Sequence, residues 1–205
     1  MPSEPLLHHT GVGNTVPAFT MINGFLYQIV LLLSFTSMAL FKSCSLLQLQ
    51  QSSLACQKLL AQLTGRPEHC LDDRMDFKLP EEIKNLQQSQ KVDTSFVVYE
   101  MLKNIFEIFR KDTSNTGWDV AIIKKLFTEL NQQLDRLEKI LERKIEEENL
   151  TWGNVRTFLR LKSYYWNIVR YLKNKEYSIC AWTIVQVEIL RNFSFINSLT
   201  EGLEN

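Results

Sequence analysis

The stretch Tyr177-Ser178-Ile179-Cys180-Ala181-Trp182-Thr183-Ile184-Val185-Gln186-Val187-Glu188-Ile189-Leu190-Arg191-Asn192-Phe193-Ser194-Phe195-Ile196-Asn197-Ser198-Leu199 is the last apolar run of the chain and the one that decides its fold. Wound as a helix at about 100° per residue, it places Trp182, Val185, Ile189, Phe193 and Ile196, with Leu203 beyond, in one stripe. Such a stripe faces a core. Val187, Leu190, Arg191 and Ser194 fall on nearly the opposite side, so two hydrophobic residues and a cation stand where a lone surface helix would be uniformly polar. The pattern admits two readings: a second face offered to a partner, or the central helix of a bundle, apolar all round.

Working outward, the 205 residues suit one domain plus an extra segment, and 45% hydrophobic content is enough for a real core. The 23 basic and 23 acidic residues cancel, so no global field draws the chain to nucleic acid or to an acidic membrane. Seven Gly and five Pro are too few for a strand-rich fold with many tight turns, whereas Leu, Glu, Lys and Gln dominate the middle of the chain. These features predict an all-α protein.

Four more helices precede the last run. The first, 46–63, carries Leu49, Cys56, Leu59, Leu60 and Leu63 on its apolar face and breaks at Thr64-Gly65-Arg66-Pro67. A long crossover, 68–91, follows with Cys70, the charged turn Asp72-Asp73-Arg74, and Leu79-Pro80-Glu81-Glu82, where a short helical turn is expected; connections this long in compact domains are often functional. The second helix, 93–110, aligns Phe96, Val97, Met101, Ile105 and Ile108. Thr116 to Asp119 resembles an N-terminal cap for the third, 118–148, whose Leu126, Leu130, Leu134, Leu137, Leu141 and Ile145 alternate spacings of three and four as a bundle seam does. Asn149-Leu150-Thr151 is a glycosylation sequon in the next turn, and Asn149 is the expected acceptor. The fourth helix, 154–173, uses Val155, Phe158, Leu161, Tyr165, Ile168 and Leu172. A second sequon, Asn192-Phe193-Ser194, lies on the flank of the core stripe and should be used poorly.

Residues 1–20 show neither helical nor strand periodicity and read as an unstructured extension. Residues 21–39 read as a signal peptide, with an apolar run from Phe25 to Phe35 and small residues three apart at Ser37-Met38-Ala39; the run is too short to span a bilayer comfortably, so no stable membrane insertion is expected. The helical domain is then 40–205. Secretion makes the four cysteines candidates for bridging. Cys56 lies on the apolar face of the first helix and reads as a buried thiol. Cys44 and Cys56, about 18 Å apart along one helix, are too far apart to pair, which leaves Cys70 with Cys180. Cys44 is then an exposed free thiol near the mature N-terminus and a route to a disulfide-linked dimer of an otherwise monomeric protein.

Catalytic chemistry has little to work with. The histidines are His8, His9 and His69, two of them in the leader, so a Ser-His-Asp or Cys-His arrangement has at most one base. No His or Cys spacing suits zinc, no Glu-x-x-His pair suits a di-iron bundle, and no glycine-rich phosphate loop is present. Glu81-Glu82 and Asp72-Asp73 read as solvated charge. No catalytic residue, metal or cofactor is assigned.

Several strings resemble the type I interferons: Cys56-Gln57-Lys58-Leu59-Leu60, Cys70-Leu71-Asp72-Asp73-Arg74-Met75, Pro80-Glu81-Glu82-Ile83-Lys84, Tyr99-Glu100-Met101-Leu102, Ser114-Asn115-Thr116-Gly117-Trp118, and above all Tyr177-Ser178-Ile179-Cys180-Ala181-Trp182 followed by Val187-Glu188-Ile189-Leu190-Arg191. One bridge and a lone Cys56 look more like the beta subtype than the alpha subtypes. Asp119 departs from the asparagine common there, and Cys44 is an additional thiol. The resemblance implies a five-helix, up-up-down-down cytokine bundle with a long first crossover. It implies a secreted ligand that joins the two chains of the interferon alpha/beta receptor, activating Janus kinases and STAT factors. The positions matching the family's contacts for the higher-affinity chain are Leu71, Arg74, Val187, Leu190, Arg191 and Ser194. For the lower-affinity chain they are Phe106, Ile122, Phe127 and Lys162. An intramolecular role for the arginines, such as Arg74 with Asp73, is the competing reading of those residues; another helical cytokine acting on a different receptor is the competing function.

Overall fold

A computed structural model describes residues 27–32, 47–63, 65–86, 93–146 and 155–201, and all their regular structure is helical. The chain divides into two units, 1–42 and 43–205. In the first, residues 27–32 of the apolar run are helical; the extension 1–20, the Ser37-Met38-Ala39 site and Cys44 lie outside the described residues. The second unit comprises α1 (47–62), α2 (Glu81–Lys84), α3 (Thr94–Phe109), α4 (Val120–Glu146), α5 (Val155–Asn174) and α6 (Ile179–Glu201), with 3-10 turns at Pro67–Asp73 and Ser114–Thr116.

Local chemistry sets the helix starts. The Asp93 carboxylate accepts from the amides of Ser95 and Phe96 at 2.8 and 3.4 Å, satisfying donors that α3 leaves open. Asp119 does the same for α4 through the Ala121 amide at 2.7 Å, and the Thr116 hydroxyl accepts from the Trp118 amide at 3.2 Å, so Thr116 to Asp119 is the cap its sequence suggests. Gly117 between them has φ +68°, where a side chain would be strained.

Contacts between helices give their directions. Lys144, near the end of α4, reaches Asp93 at the start of α3 at 2.6 Å, while Phe127 near the start of α4 meets Phe106 near the end of α3 with ring centroids 5.1 Å apart, so the two are antiparallel. Gln57 of α1 bonds Ser194 and Asn197 of α6, and Gln186 of α6 donates to the carbonyls of Leu60 and Leu63, so α1 and α6 are antiparallel too. Phe96 meets Phe158, and Lys162 acts on Glu100, making α3 and α5 parallel. Gln133 and Arg136 of α4 meet Cys56 and Ser52 of α1, so α1 is antiparallel to α4 as well; hence α1, α3, α4 and α6 form the up-up-down-down bundle, with α5 a fifth helix antiparallel to α4 and α6.

The core closes around α6. Trp182, Val185, Ile189, Phe193 and Ile196 are fully buried; Leu203 lies outside the described residues. The Trp182 ring stacks on Phe109 at 5.8 Å and takes the edge of Trp118 at 5.4 Å, while its indole N–H donates to the Asp112 carbonyl at 2.9 Å. Two ends of the expected seams differ. Ile145 is 51% exposed because Lys144 already stands level with the residue that caps α3, and α4 then outruns its neighbour. Val155, 70% exposed, opens α5 a turn before Phe158 first meets α3. Buried in α4 instead is Gln133, whose amide donates to the Cys56 sulfur at 3.1 Å. By length and composition α6 could cross a membrane, but its apolar side is spent on the bundle core.

Candidate functional site

The outward strip of α6 is what remains after its neighbours have covered the rest. On the α1 side Thr183, Gln186 and Asn197 are buried; on the α5 side Ala181, Glu188 and Asn192 are buried. Between them Cys180, Val187, Arg191 and Ser194 project within about 40° of one direction by helix geometry, with Leu190 beside them. Val187 and Leu190 are half-buried, and Arg191 and Ser194 are exposed. The helix is therefore central to the bundle, and one narrow strip of it stays open.

Cys180 heads that strip, and its disulfide to Cys70 (S–S 2.04 Å, Cα–Cα 5.2 Å) fastens the 3-10 turn of the crossover there. The approach is close. A Cβ on Gly65 would stand 2.9 Å from the Thr183 hydroxyl and 3.0 Å from the side-chain amide oxygen of Gln186. Cys70 itself is buried, but Leu71 beside it is 65% exposed, and Arg74 is exposed. The pairing of Arg74 with Asp73 is not formed, because Asp73 is committed elsewhere: its carboxylate pairs with Lys175 at 2.7 Å, and its carbonyl accepts the Tyr171 hydroxyl at 2.6 Å. Leu71 and Arg74 thus sit at the head of the strip, and Arg191 follows roughly 16 Å down the helix axis from Cys180. The arrangement is an elongated surface with apolar and cationic groups at both ends.

Two strip residues also have partners inside the molecule. Arg191 donates to the buried Glu188 carboxylate at 3.2 Å, and the Ser194 hydroxyl accepts from Gln57 at 2.8 Å. Glu188 and Gln57 escape a sequence reading, the first hidden in an apolar run with only its spacing of three from Arg191 as a signal, the second with none.

The other proposed contacts fall on α3, α4 and α5. Phe106 and Phe127 form an edge-to-face pair, each half-buried, with Ile122 half-buried one to two turns before Phe127 on α4. Lys162 is exposed and lies 4.4 Å over the Phe158 ring, which in turn packs on Phe96. These are two ring clusters at different levels of α3 rather than one patch.

Cys56 is buried and free, and burial pushes its thiol up to about 12, so it stays protonated at neutral pH. Asn149 lies outside the described residues. Asn192 is 1% exposed; its amide donates to the Tyr164 hydroxyl and the Glu188 carbonyl, and its oxygen accepts from Tyr165, so the second sequon presents no accessible acceptor.

The chain is similar to known proteins both in sequence and in fold. Residues 46–203 match the family described as the Interferon alpha/beta domain. The chain is 54% identical to interferon beta of Homo sapiens over 187 residues, 90% of this chain and 100% of that protein. To interferon beta of Mus musculus it is 43% identical over the same shares. Among solved structures, zebrafish interferon 2 superposes with a TM-score of 0.61 over 72% of this chain and 96% of that one, at 22% identity, a likeness of fold.

Proposed function

The chain belongs to the interferon alpha/beta family, and on that premise we propose that it acts as a secreted ligand joining the two chains of the interferon alpha/beta receptor, which triggers Janus kinase and STAT signalling. As a member of that family it is a cytokine of the antiviral class rather than an enzyme. The observation that carries the receptor reading is the exposed strip of α6 headed by the Cys70–Cys180 bridge, which holds an exposed Leu71 and Arg74 at one end and Arg191 at the other. Arginine is among the residues enriched in binding hot spots, a forked donor for a carboxylate or carbonyl, and the exposed leucine beside it adds apolar area to desolvate. The higher-affinity chain takes this surface, and the lower-affinity chain takes the ring clusters around Phe106, Ile122, Phe127 and Lys162. The protein leaves the cell after cleavage near Leu40, carries its glycan on Asn149, and offers Cys44 as its exposed thiol.

Recombinant protein applied to cells carrying a reporter for interferon-stimulated transcription tests this directly. The reporter should respond, and an antibody blocking the receptor should abolish the response. A response that survives the antibody would point to a different receptor. N-terminal sequencing of secreted material should begin near Leu40; finding Met21 or Phe25 there would rule out the cleavage.

A further inference from the structure

We propose that Glu188, held by Tyr164, is a positioning residue that fixes the Arg191 guanidinium on the outward strip of α6 for the higher-affinity receptor chain. The inference rests on the reading of Arg191 as a contact of that chain.

Glu188 is an anomaly in an apolar helix, a carboxylate with a side chain only 8% exposed. A buried carboxylate is costly unless both oxygens are engaged. Here they are divided between core and surface: Oε1 accepts the Tyr164 hydroxyl at 2.6 Å, and Oε2 accepts Arg191 Nη1 at 3.2 Å. The core end is itself braced. Asn192 donates to the Tyr164 oxygen at 2.6 Å and to the Glu188 carbonyl at 2.9 Å, and Tyr165 donates to Asn192 at 2.6 Å. Burial raises the pKa of both tyrosines, so each hydroxyl keeps the proton it donates.

Arg191 has a side chain 64% exposed. Exposed pairs at this spacing usually hold neither partner well, because both long side chains must be ordered together. In this pair the acid is already immobile, so only the arginine has freedom to lose, and one contact through Nη1 leaves the other donors of the fork turned to solvent. A guanidinium oriented before its partner arrives loses less entropy on binding.

The test uses the full chain with Glu188→Gln, Tyr164→Phe, Arg191→Ala and the double variant Glu188→Gln/Arg191→Ala. Glutamine can still accept from Tyr164 but loses the charge facing Arg191; Tyr164→Phe keeps the carboxylate and removes its brace, together with the bond that Asn192 donates to the same hydroxyl, and guards against a Glu188 variant that fails to fold. Two readouts are taken: the NMR order parameter of the Arg191 Nε–H, and affinity for the immobilised ectodomain of the higher-affinity receptor chain. Glu188→Gln should lower the order parameter and weaken binding roughly fivefold with Arg191 present but less than about twofold without it, and Tyr164→Phe should act in the same direction more weakly. An unchanged order parameter in both variants, or equal loss with and without Arg191, would overturn the proposal. If the order parameter falls but Arg191→Ala binds as the parent does, the ion pair is real while the receptor reading of Arg191 fails, and the positioning role falls with it.

Discussion

At Gly65 the chain leaving α1 passes α6 so closely that a single methyl has nowhere to go. Thr183 already donates to the Ile179 carbonyl, and Gln186 is fixed by its bonds to Leu60 and Leu63, so neither side chain near the glycine can yield cheaply. Gly65→Ala should therefore lower unfolding free energy by about 1–3 kcal/mol, the cost of overpacking a filled junction, as read by urea denaturation; an unchanged midpoint would mean the junction is looser than described. Glu100 is the second residue with a measurable signature. Burial raises its carboxyl pKa, opposed by Lys103 and Lys162. The folded chain then holds that proton more tightly than the unfolded chain, so the stability the neutral form contributes is present at low pH and lost as pH rises through the folded pKa. Glu100→Gln should melt higher than the parent at pH 7, with the advantage shrinking as pH falls toward the ordinary carboxylate range. A gap independent of pH would assign the effect to packing alone. Neither residue's role is visible in hydropathy, since one is a glycine beside a proline turn and the other a polar residue on a helix that the pattern had already partitioned.

Among the elements, the crossover depends on its covalent anchor. The Cys70–Cys180 bridge closes a separation of 110 residues, and for a loop of that order the chain-entropy account gives about 4–5 kcal/mol. Replacing both cysteines by serine should cost roughly 3–5 kcal/mol of stability and should weaken receptor binding, because Leu71 and Arg74 would no longer be held at the head of α6. Loss of stability with full affinity retained would place the crossover outside the binding surface. The helices themselves were legible wherever an apolar period ran through several turns: the stripe of α6 from Trp182 to Ile196 is buried as its spacing requires. The period misleads at helix ends, as at Ile145 and Val155, because it cannot tell where a neighbouring helix stops. It also misses buried polar residues: Asn192 and Glu188, whose burial is made tolerable by tyrosines of α5, and Gln133, whose amide donates to the Cys56 sulfur. Leu71 and Arg74 carry no periodic signal at all, and only the resemblance of the Cys70 to Met75 string to a family picked them out.

For the whole molecule, the central point is that one helix both closes the core and leaves a strip uncovered. The bundle needs α6 on three sides, from α1, α3 and α5, and the Cys70 turn covers only its beginning. What stays open is the side bearing Val187, Leu190, Arg191 and Ser194, away from the ring clusters on α3, α4 and α5 that the second receptor chain would take. Surface binding and core stability should then separate in a single pair of variants. The decisive measurement is the affinity of Arg191→Ala and of Arg74→Ala for the isolated ectodomain of the higher-affinity receptor chain, taken beside their melting temperatures. Each should lose about 2 kcal/mol of binding free energy, roughly thirtyfold in Kd, with little change in Tm for Arg74→Ala and a modest fall for Arg191→Ala, which leaves one oxygen of the buried Glu188 carboxylate without its partner; unchanged affinity, or an affinity loss in Arg74→Ala matched by a loss of stability, would contradict the account.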